Sequence, residues 1–187
     1  MDKNTYYTDV RILADPVPVI IGHLVSRIHG FSVKNGGEFN LALPQLKTGN
    51  RPKLGNILRV FGDKDLLNNL IDDLDKDHRE TYLTTRVKTT PETQAYVAYI
   101  RMRLPARSSI NAKRQAHTAI DQRNRFSRLE SYKSMPYFSL KSQSNRQVFP
   151  VVIDKLKKGV KDNRNAIVGN GYGFSTATQI VWVPDFN

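Results

Sequence analysis

The chain has 187 residues, no cysteine, and 29 Lys+Arg against 17 Asp+Glu, a formal net charge of +12. The missing thiols exclude a disulfide framework and a thiolate zinc site. No apolar run approaches the roughly 18 residues of a membrane span, and the opening MDKNTYYTDV lacks the basic-then-apolar order of a signal peptide, so an unprocessed cytoplasmic protein with no membrane partner is expected.

The charge is unevenly placed. Residues 1–94 carry 13 Lys+Arg and 12 Asp+Glu, a net of +1, whereas residues 95–187 carry 16 and 5, a net of +11. An excess confined to one half is the footprint of a polyanion binder. No stretch pairs a basic face with a large apolar one, as a membrane-surface helix would, so nucleic acid is the expected partner.

In chain order, residues 6–13 alternate as a strand that ends at Asp15-Pro16. From Pro18 a helical pattern begins, with Ile20, Leu24 and Ile28 four apart and Ile21 and Val25 beside them. His29 lies on the flank of that stripe, and Asn35-Gly36-Gly37 stops it. Phe39, Leu41 and Leu43 alternate as a second strand, residues 47–53 (KTGNRPK) read as a flexible basic loop, and residues 57–62 as a third strand. Asp63 is placed to cap a helix running through Leu66, Leu67, Leu70, Ile71 and Leu74, and residues 82–87 read as a fourth strand. The order is βαββαβ, that of a ferredoxin-like unit, an order that hosts many functions. The carboxylates Asp72, Asp73, Asp75 and Asp77 in between read as the solvated face of the second helix rather than as a metal site.

The polar TTPET at 89–93 is the best linker, giving a unit over 1–90 and a basic unit over 91–187. The second begins with a strand at 95–104, in which Val97, Tyr99, Arg101 and Arg103 share one face and Ala98, Ile100, Met102 and Leu104 the other. Residues 109–128 read as a helix. At about 100° per residue, Ala112, Ala116, Ala119 and Ile120 gather on one side, opposite Lys113, Arg114, His117, Asp121, Arg125 and Arg128. Residues 138–149 (FSLKSQSNRQVF) then alternate, present the hydroxyls of Ser142 and Ser144 around Gln143, turn at Asn145-Arg146 and resume an apolar strand to Ile153. Residues 154–164 read as a lysine-rich connection, and 179–183 as a final strand. The glycine-rich GNGYG at 169–173 lacks the following helix that a phosphate cradle needs, which leaves Tyr172 as its notable content.

RNA can be cut without metal when its own 2′-hydroxyl attacks the adjacent phosphorus, given a base, charge stabilisation and an in-line ribose. The sequence offers His23, His29, His78 and His117 as bases, and spacing does not choose between them. A hairpin-RNA-binding protein without activity, and a metal nuclease using the carboxylates of 72–77, are the rivals.

Five motifs in order along the chain carry a resemblance: Arg27-Ile-His29, Gly36-Gly37 before a strand ending at Pro44, Leu54-Gly55 before another, Leu140-Lys-Ser-Gln-Ser with Gln147 and Phe149, and Tyr172-Gly-Phe-Ser175 ahead of Val183-Pro184. Together they resemble the type I-F CRISPR repeat-processing endoribonucleases. The resemblance implies an α+β fold, with a ferredoxin-like βαββαβ unit followed by a modified ferredoxin-like basic unit carrying an arginine-rich helix. It implies metal- and cofactor-independent cleavage 3′ of a CRISPR repeat RNA hairpin, leaving a 2′,3′-cyclic phosphate, with the protein kept on the mature RNA beside other subunits of the type I-F surveillance complex. By the same carry-over His29 is the catalytic base, Ser142 holds the ribose, Ser144 supports the loop and Tyr172 orients His29 or the phosphate. Arg101, Arg103, Arg107, Lys113, Arg114, His117 and Gln143 would contact RNA, and Phe149 would stack beneath the terminal base pair.

Overall fold

A computed structural model describes residues 4–76, 80–102, 132, 134–141, 147–158, 172–176 and 178–186. The architecture is α+β with two antiparallel sheets. In the first half, strand β1 (Tyr6–Ile12), helix α1 (Val17–Asn35), β2 (Asn40–Ala42), β3 (Ile57–Gly62), α2 (Lys64–Asp75) and β4 (Tyr82–Thr84) follow the expected order. They form a sheet of order β2-β3-β1-β4, with the short β5 (Lys88–Thr89) also pairing β1. This order is compatible with a ferredoxin-like unit. The second sheet has order β7-β8-β6-β9, from β6 (Tyr96–Met102), β7 (Tyr137–Lys141), β8 (Val148–Lys158) and β9 (Val183–Pro184).

Local chemistry explains the helix limits. Pro18 sits in the first turn of α1, where a missing N–H costs nothing, and Gly36 ends the helix at φ 67°, the left-handed region that favours glycine. Asp63 caps α2, its carboxylate accepting from the N–H groups of Asp65 and Leu66. The buried residues Ile21, Leu24, Val25 and Ile28 follow the helical i, i+3, i+4, i+7 spacing, and α2 buries Leu67, Leu70 and Leu74.

Several expectations shift where an element has neighbours on both sides. The alternation of Phe39, Leu41 and Leu43 suggested one solvated face, yet Asn40 and Ala42 are also buried, because β2 is packed against β6 and β9. Tyr99 is buried at 2% exposure rather than standing beside Arg101 on an open face. Its hydroxyl is pushed well above the ordinary tyrosine range, chiefly by burial and then by Asp185. The stretch expected as a lysine-rich connection is largely strand, because β8 runs on to Lys158 and pairs with β6 from Met102↔Val152 to Tyr96↔Lys158. Lys155 accordingly turns inward, 3.8 Å from the Asp185 carboxylate and 5.5 Å above the Tyr99 ring. Burial lowers its pKa, with Asp185 opposing. The fourth strand is shorter than its sequence pattern, and the linker region begins with Lys88 and Thr89 paired to Tyr7 and Tyr6. The loop at 47–53 is closed by reciprocal Lys47–Lys53 backbone bonds, and Gly49 N–H donates to the Ser134 carbonyl. The arginine-rich helix at 109–128 lies outside the described residues.

Buried residues of both sheets form one cluster, in which Val10, Leu24 and Leu58 join Phe138, Leu140, Ile153 and Phe174. Two of the contacts that join the layers are set by single residues. Arg59, 5% exposed, pairs with Asp9 through two hydrogen bonds of 2.7 and 3.0 Å, donates to the Phe186 carbonyl at 2.8 Å, and lies against both the Tyr7 and the Phe186 ring. The other contact is α1 against β7, the edge strand of the second sheet. Ile153 N–H bonds the Pro136 carbonyl, so counting in twos puts the Ser139–Pro150 pair at a non-hydrogen-bonded site. There Pro150 forfeits no bond to β7, and the Ser139 carbonyl points off the sheet edge onto Gly22. A helix thereby covers an open edge.

A Cβ on Gly22 would lie 1.7 Å from the Ser139 oxygen, which is backbone and has little room to yield. Gly22→Ala should therefore lose about 1–3 kcal/mol or more from overpacking, outweighing the roughly 1 kcal/mol helix-propensity gain of alanine. The urea midpoint is expected to fall; a raised midpoint would mean that α1 and β7 do not meet at this point.

Candidate active site

His29 lies seven residues beyond Gly22, near the C-terminal end of α1, and is half-buried. Its ring stands 4.7 Å from that of Tyr172, tilted by 30°, and the Arg101 guanidinium lies 4.9 Å from the centroid of the same tyrosine. Three groups from residues 29, 101 and 172 thus meet around one aromatic ring. His29 Nδ1 is buried and has no hydrogen-bond partner among the described residues, an exception of the kind that accompanies functional groups.

The backbone explains how Tyr172 reaches this place. Leu41 N–H donates to the Gly173 carbonyl at 2.8 Å, while Ser175 bonds Tyr99 and Arg101 on either side of its parallel bridge to Ile100. The segment is therefore fastened to β2 of the first sheet and to β6 of the second. Gly173 has φ 75°, and a Cβ there would lie 2.6 Å from Leu41 Cγ and 2.9 Å from the Phe39 carbonyl oxygen, so only glycine fits both backbone and space. Ser175 is tied off internally: its hydroxyl is 3.2 Å from the Val181 carbonyl and 2.9 Å from the Val181 N–H.

Beside the ring pair is a cavity of about 320 Å³, lined by Ile28, His29, Val33, Glu38, Phe39 and Tyr172 together with the backbone of Gly36 and Gly37. Arg27 of the Arg-Ile-His motif faces elsewhere. It donates to the Asp73 carboxylate at 3.0 Å, the Asp73 carbonyl at 2.7 Å and the Tyr82 hydroxyl at 3.2 Å, clamping α1 to α2. Asp75 accepts from Thr84 at 2.7 Å, so two carboxylates of the acidic run have partners in the fold. Among the described residues no group of three or more His, Cys, Asp or Glu could hold a metal ion.

Of the four histidines, His29 is the one in this cluster; His23 is exposed on α1, and His78 and His117 lie outside the described residues. Phe149, which could equally have been a core residue, is 37% exposed at the end of the β7–β8 hairpin opposite Leu140, with Val148 at 67%. The hairpin pairs Lys141 with Val148 across the segment that holds Ser142, Gln143 and Ser144. Those three residues, and Arg103, Arg107, Lys113 and Arg114, lie outside the described residues. The sequence reading passed over the exposed cations Lys47, Arg51 and Lys53 as loop, and the Gly49–Ser134 bond brings their loop to the segment preceding β7. Their signal was present as three cations in seven residues without an acid.

The fold and site define an antiparallel α+β protein in which a histidine–tyrosine–arginine cluster accompanies a strongly basic half, a nucleic-acid-directed class. The comparison with known families makes this specific. A family model described as CRISPR-associated protein (Cas_Csy4) matches residues 7–186, and the chain belongs to that family, the type I-F CRISPR repeat-processing endoribonucleases. A search of curated proteins found no match. Among the described residues no helix is long and apolar enough to cross a membrane.

The Tyr172 ring should shift the His29 imidazole proton resonances, since rings 4.7 Å apart lie within the range of aromatic contact, about 4.5–7 Å. In Tyr172→Leu those resonances are expected to move toward free-histidine positions. An unchanged imidazole spectrum would separate the two rings in solution.

Proposed function

We propose that the protein binds the stem-loop of CRISPR repeat RNA and cuts 3′ of it by attack of the substrate's own 2′-hydroxyl. The observation that carries this reading is the His29–Tyr172 contact beside a cavity, in a chain of a family that processes CRISPR repeat RNA. His29 takes the 2′-hydroxyl proton, O2′ forms a bond to phosphorus, the P–O5′ bond breaks, and the departing O5′ gains a proton. The products are a 2′,3′-cyclic phosphate and a 5′-hydroxyl. Because the nucleophile comes from the RNA, no water has to be activated and no metal or cofactor is called for.

The proposed roles of the other residues follow. Tyr172 holds the imidazole plane, and a cation over its face, worth about 0.5–2 kcal/mol, steadies both Tyr172 and Arg101. Arg101 would also contact bases at the foot of the stem. Ser142 would orient the ribose, with Ser144 and Gln143 supporting the loop. Arg103, Arg107, Lys113, Arg114 and His117 would grip the stem, and exposed Phe149 would stack beneath its last base pair. In this reading residues 1–90 carry the base, in a ferredoxin-like unit, and residues 91–187 carry the RNA grip in a modified one. The enzyme acts in the cytoplasm and stays on its product beside other subunits of the type I-F complex.

His29→Ala should leave hairpin affinity within a small factor while slowing cleavage by at least about 10². Replacing the ribose 5′ of the scissile phosphate with deoxyribose should abolish cutting with binding nearly intact, and excess chelator should leave cutting of the ribose substrate unchanged. A deoxy substrate that is cut, or a reaction stopped by chelator, would overturn the mechanism. Hairpin binding with no cut in any form would leave an RNA-binding subunit instead. Arg114→Ala should lower affinity and make the salt dependence shallower by up to about one unit for each phosphate that the variant no longer neutralises; an unchanged slope would place the stem elsewhere.

A further inference from the structure

Residues 47–53 leave the first sheet as a small hairpin whose two feet are fixed in the core. Leu46 and Leu54, just outside it, are 6% and 5% exposed, while Lys47 and Lys53, the next residues in, lie on the surface. The Lys47 N–H donates to the Lys53 carbonyl at 2.8 Å, and the Lys53 N–H to the Lys47 carbonyl at 2.9 Å. At the tip Gly49, at φ 103°, donates to the Ser134 carbonyl at 2.8 Å, so the loop reaches from the core of the first half to the segment that enters β7. These bonds are all between main-chain groups, and they leave the cationic side chains outside the fold's own bonding.

Two residues that exchange both backbone bonds stand directly opposite each other, with their side chains on the same side of the ladder. Here both are lysines, and like charges in that position are destabilising. Residues 47–53 contain no acid to relieve the repulsion, and Lys47, Lys53 and the exposed Arg51 form no ion pair or side-chain hydrogen bond among the described residues. The loop also concentrates the charge of its half. It holds three of the 13 Lys+Arg of residues 1–94 and none of the 12 Asp+Glu, so the remainder carries 10 and 12, a net of −2. The cationic surface of the first half is therefore gathered in one rigid hairpin, bonded at its tip to the half that carries +11. An anion lying between the two ammonium groups would turn their repulsion into attraction.

We infer that Lys47 and Lys53, with Arg51 two residues before Lys53, clamp a backbone phosphate of the bound RNA and so carry RNA contact onto the first half. The inference rests on the reading that the protein binds a repeat RNA hairpin, RNA being the polyanion that its family processes. A phosphodiester shares one negative charge between two oxygens, and two ammonium groups on one side of a ladder can each take one. Lysine acts on phosphate as a point charge, without the planar register that arginine imposes. The exposed Thr48 and Asn50 add neutral donors at the tip. A contact of this kind positions the RNA and carries no sequence information. No residue of the loop belongs to the His29–Tyr172–Arg101 cluster, so the clamp holds RNA and takes no part in the chemical step.

The test measures binding of a fluorescently labelled repeat hairpin, with deoxyribose at the scissile position so that it stays whole, over a range of salt concentrations. Lys47→Gln/Lys53→Gln should bind more weakly, with the plot of log K against log salt shallower by about 0.9, the value for one phosphate. Lys47→Arg/Lys53→Arg should keep the wild-type slope. Lys64→Gln/Lys88→Gln, which removes two exposed charges of the same half away from the loop, should also keep it. When single linkages of the hairpin are made neutral as methylphosphonates, one position should weaken the wild type and leave Lys47→Gln/Lys53→Gln indifferent. The urea midpoint of the free glutamine variant should equal or exceed that of the wild type, because a like-charge pair is gone; a fall would mean that the lysines serve the fold and would overturn the clamp. An unchanged slope, an equal change in Lys64→Gln/Lys88→Gln, or no such methylphosphonate position would overturn it too, leaving hairpin binding standing and the loop to an acidic protein surface. If the wild type does not bind the hairpin, both readings fall together.

Discussion

Three main-chain hydrogen bonds hold residues 173–175 between β2 and β6, and the cluster around Tyr172 depends on them. Tyr172 is 143 residues from His29 in the chain, and no local propensity could hold their rings 4.7 Å apart. Gly173 makes the seam possible by accepting both a left-handed backbone and direct contact with Leu41. A side chain there would have to push either β2 or the 172–175 segment aside, and Tyr172 would move with it. Site geometry and interlayer packing are therefore one constraint here, and positions that serve the fold also set the distance between the candidate groups.

The same coupling runs through α1. Its inner stripe is buried with the first sheet, Gly22 sits against the Ser139 carbonyl of the second, Arg27 is fixed to Asp73, and His29 comes one turn after Val25. The histidine is thus carried on a helix held from three sides, which fixes its position as firmly as its ring contact with Tyr172 fixes its plane. Arg59 does the matching work at the opposite end. Burying a lone guanidinium is costly, but Asp9, the Phe186 carbonyl and two aromatic faces satisfy it together. It fastens the C-terminal segment, and through β9 the strand β6 that bears Arg101, to the first sheet.

Much of this was legible in the sequence because it is local. The helix that ends at Gly36, the Asp63 cap, β3 and the strands β7 and β8 follow from period and cap chemistry. What sequence patterning missed depends on what lies opposite. β2 alternates in sequence yet is buried throughout, since alternation reports one solvated face only when the other side is open. Lys155 reads as a loop cation but turns inward toward Asp185, 30 residues on. Arg59 carried no signal at all, since a buried arginine is recognised only from its partners. For the site, the choice of His29 over His23 came from resemblance, and the structure gives it a physical counterpart: one ring meets Tyr172 beside a cavity, the other is exposed on α1.

The division of charge bears on what kind of enzyme the proposed reaction makes. Contacts between the +11 half and a stem are the same before and after the cut, so they tighten binding of substrate and product alike and do nothing for the chemical step. Rate enhancement has to come from the other half, whose net charge is only +1 and whose contribution at the site is one positioned imidazole. Such a group supplies about 10²–10⁴, enough for a protein that cuts one RNA and keeps it, though little for one that must turn over.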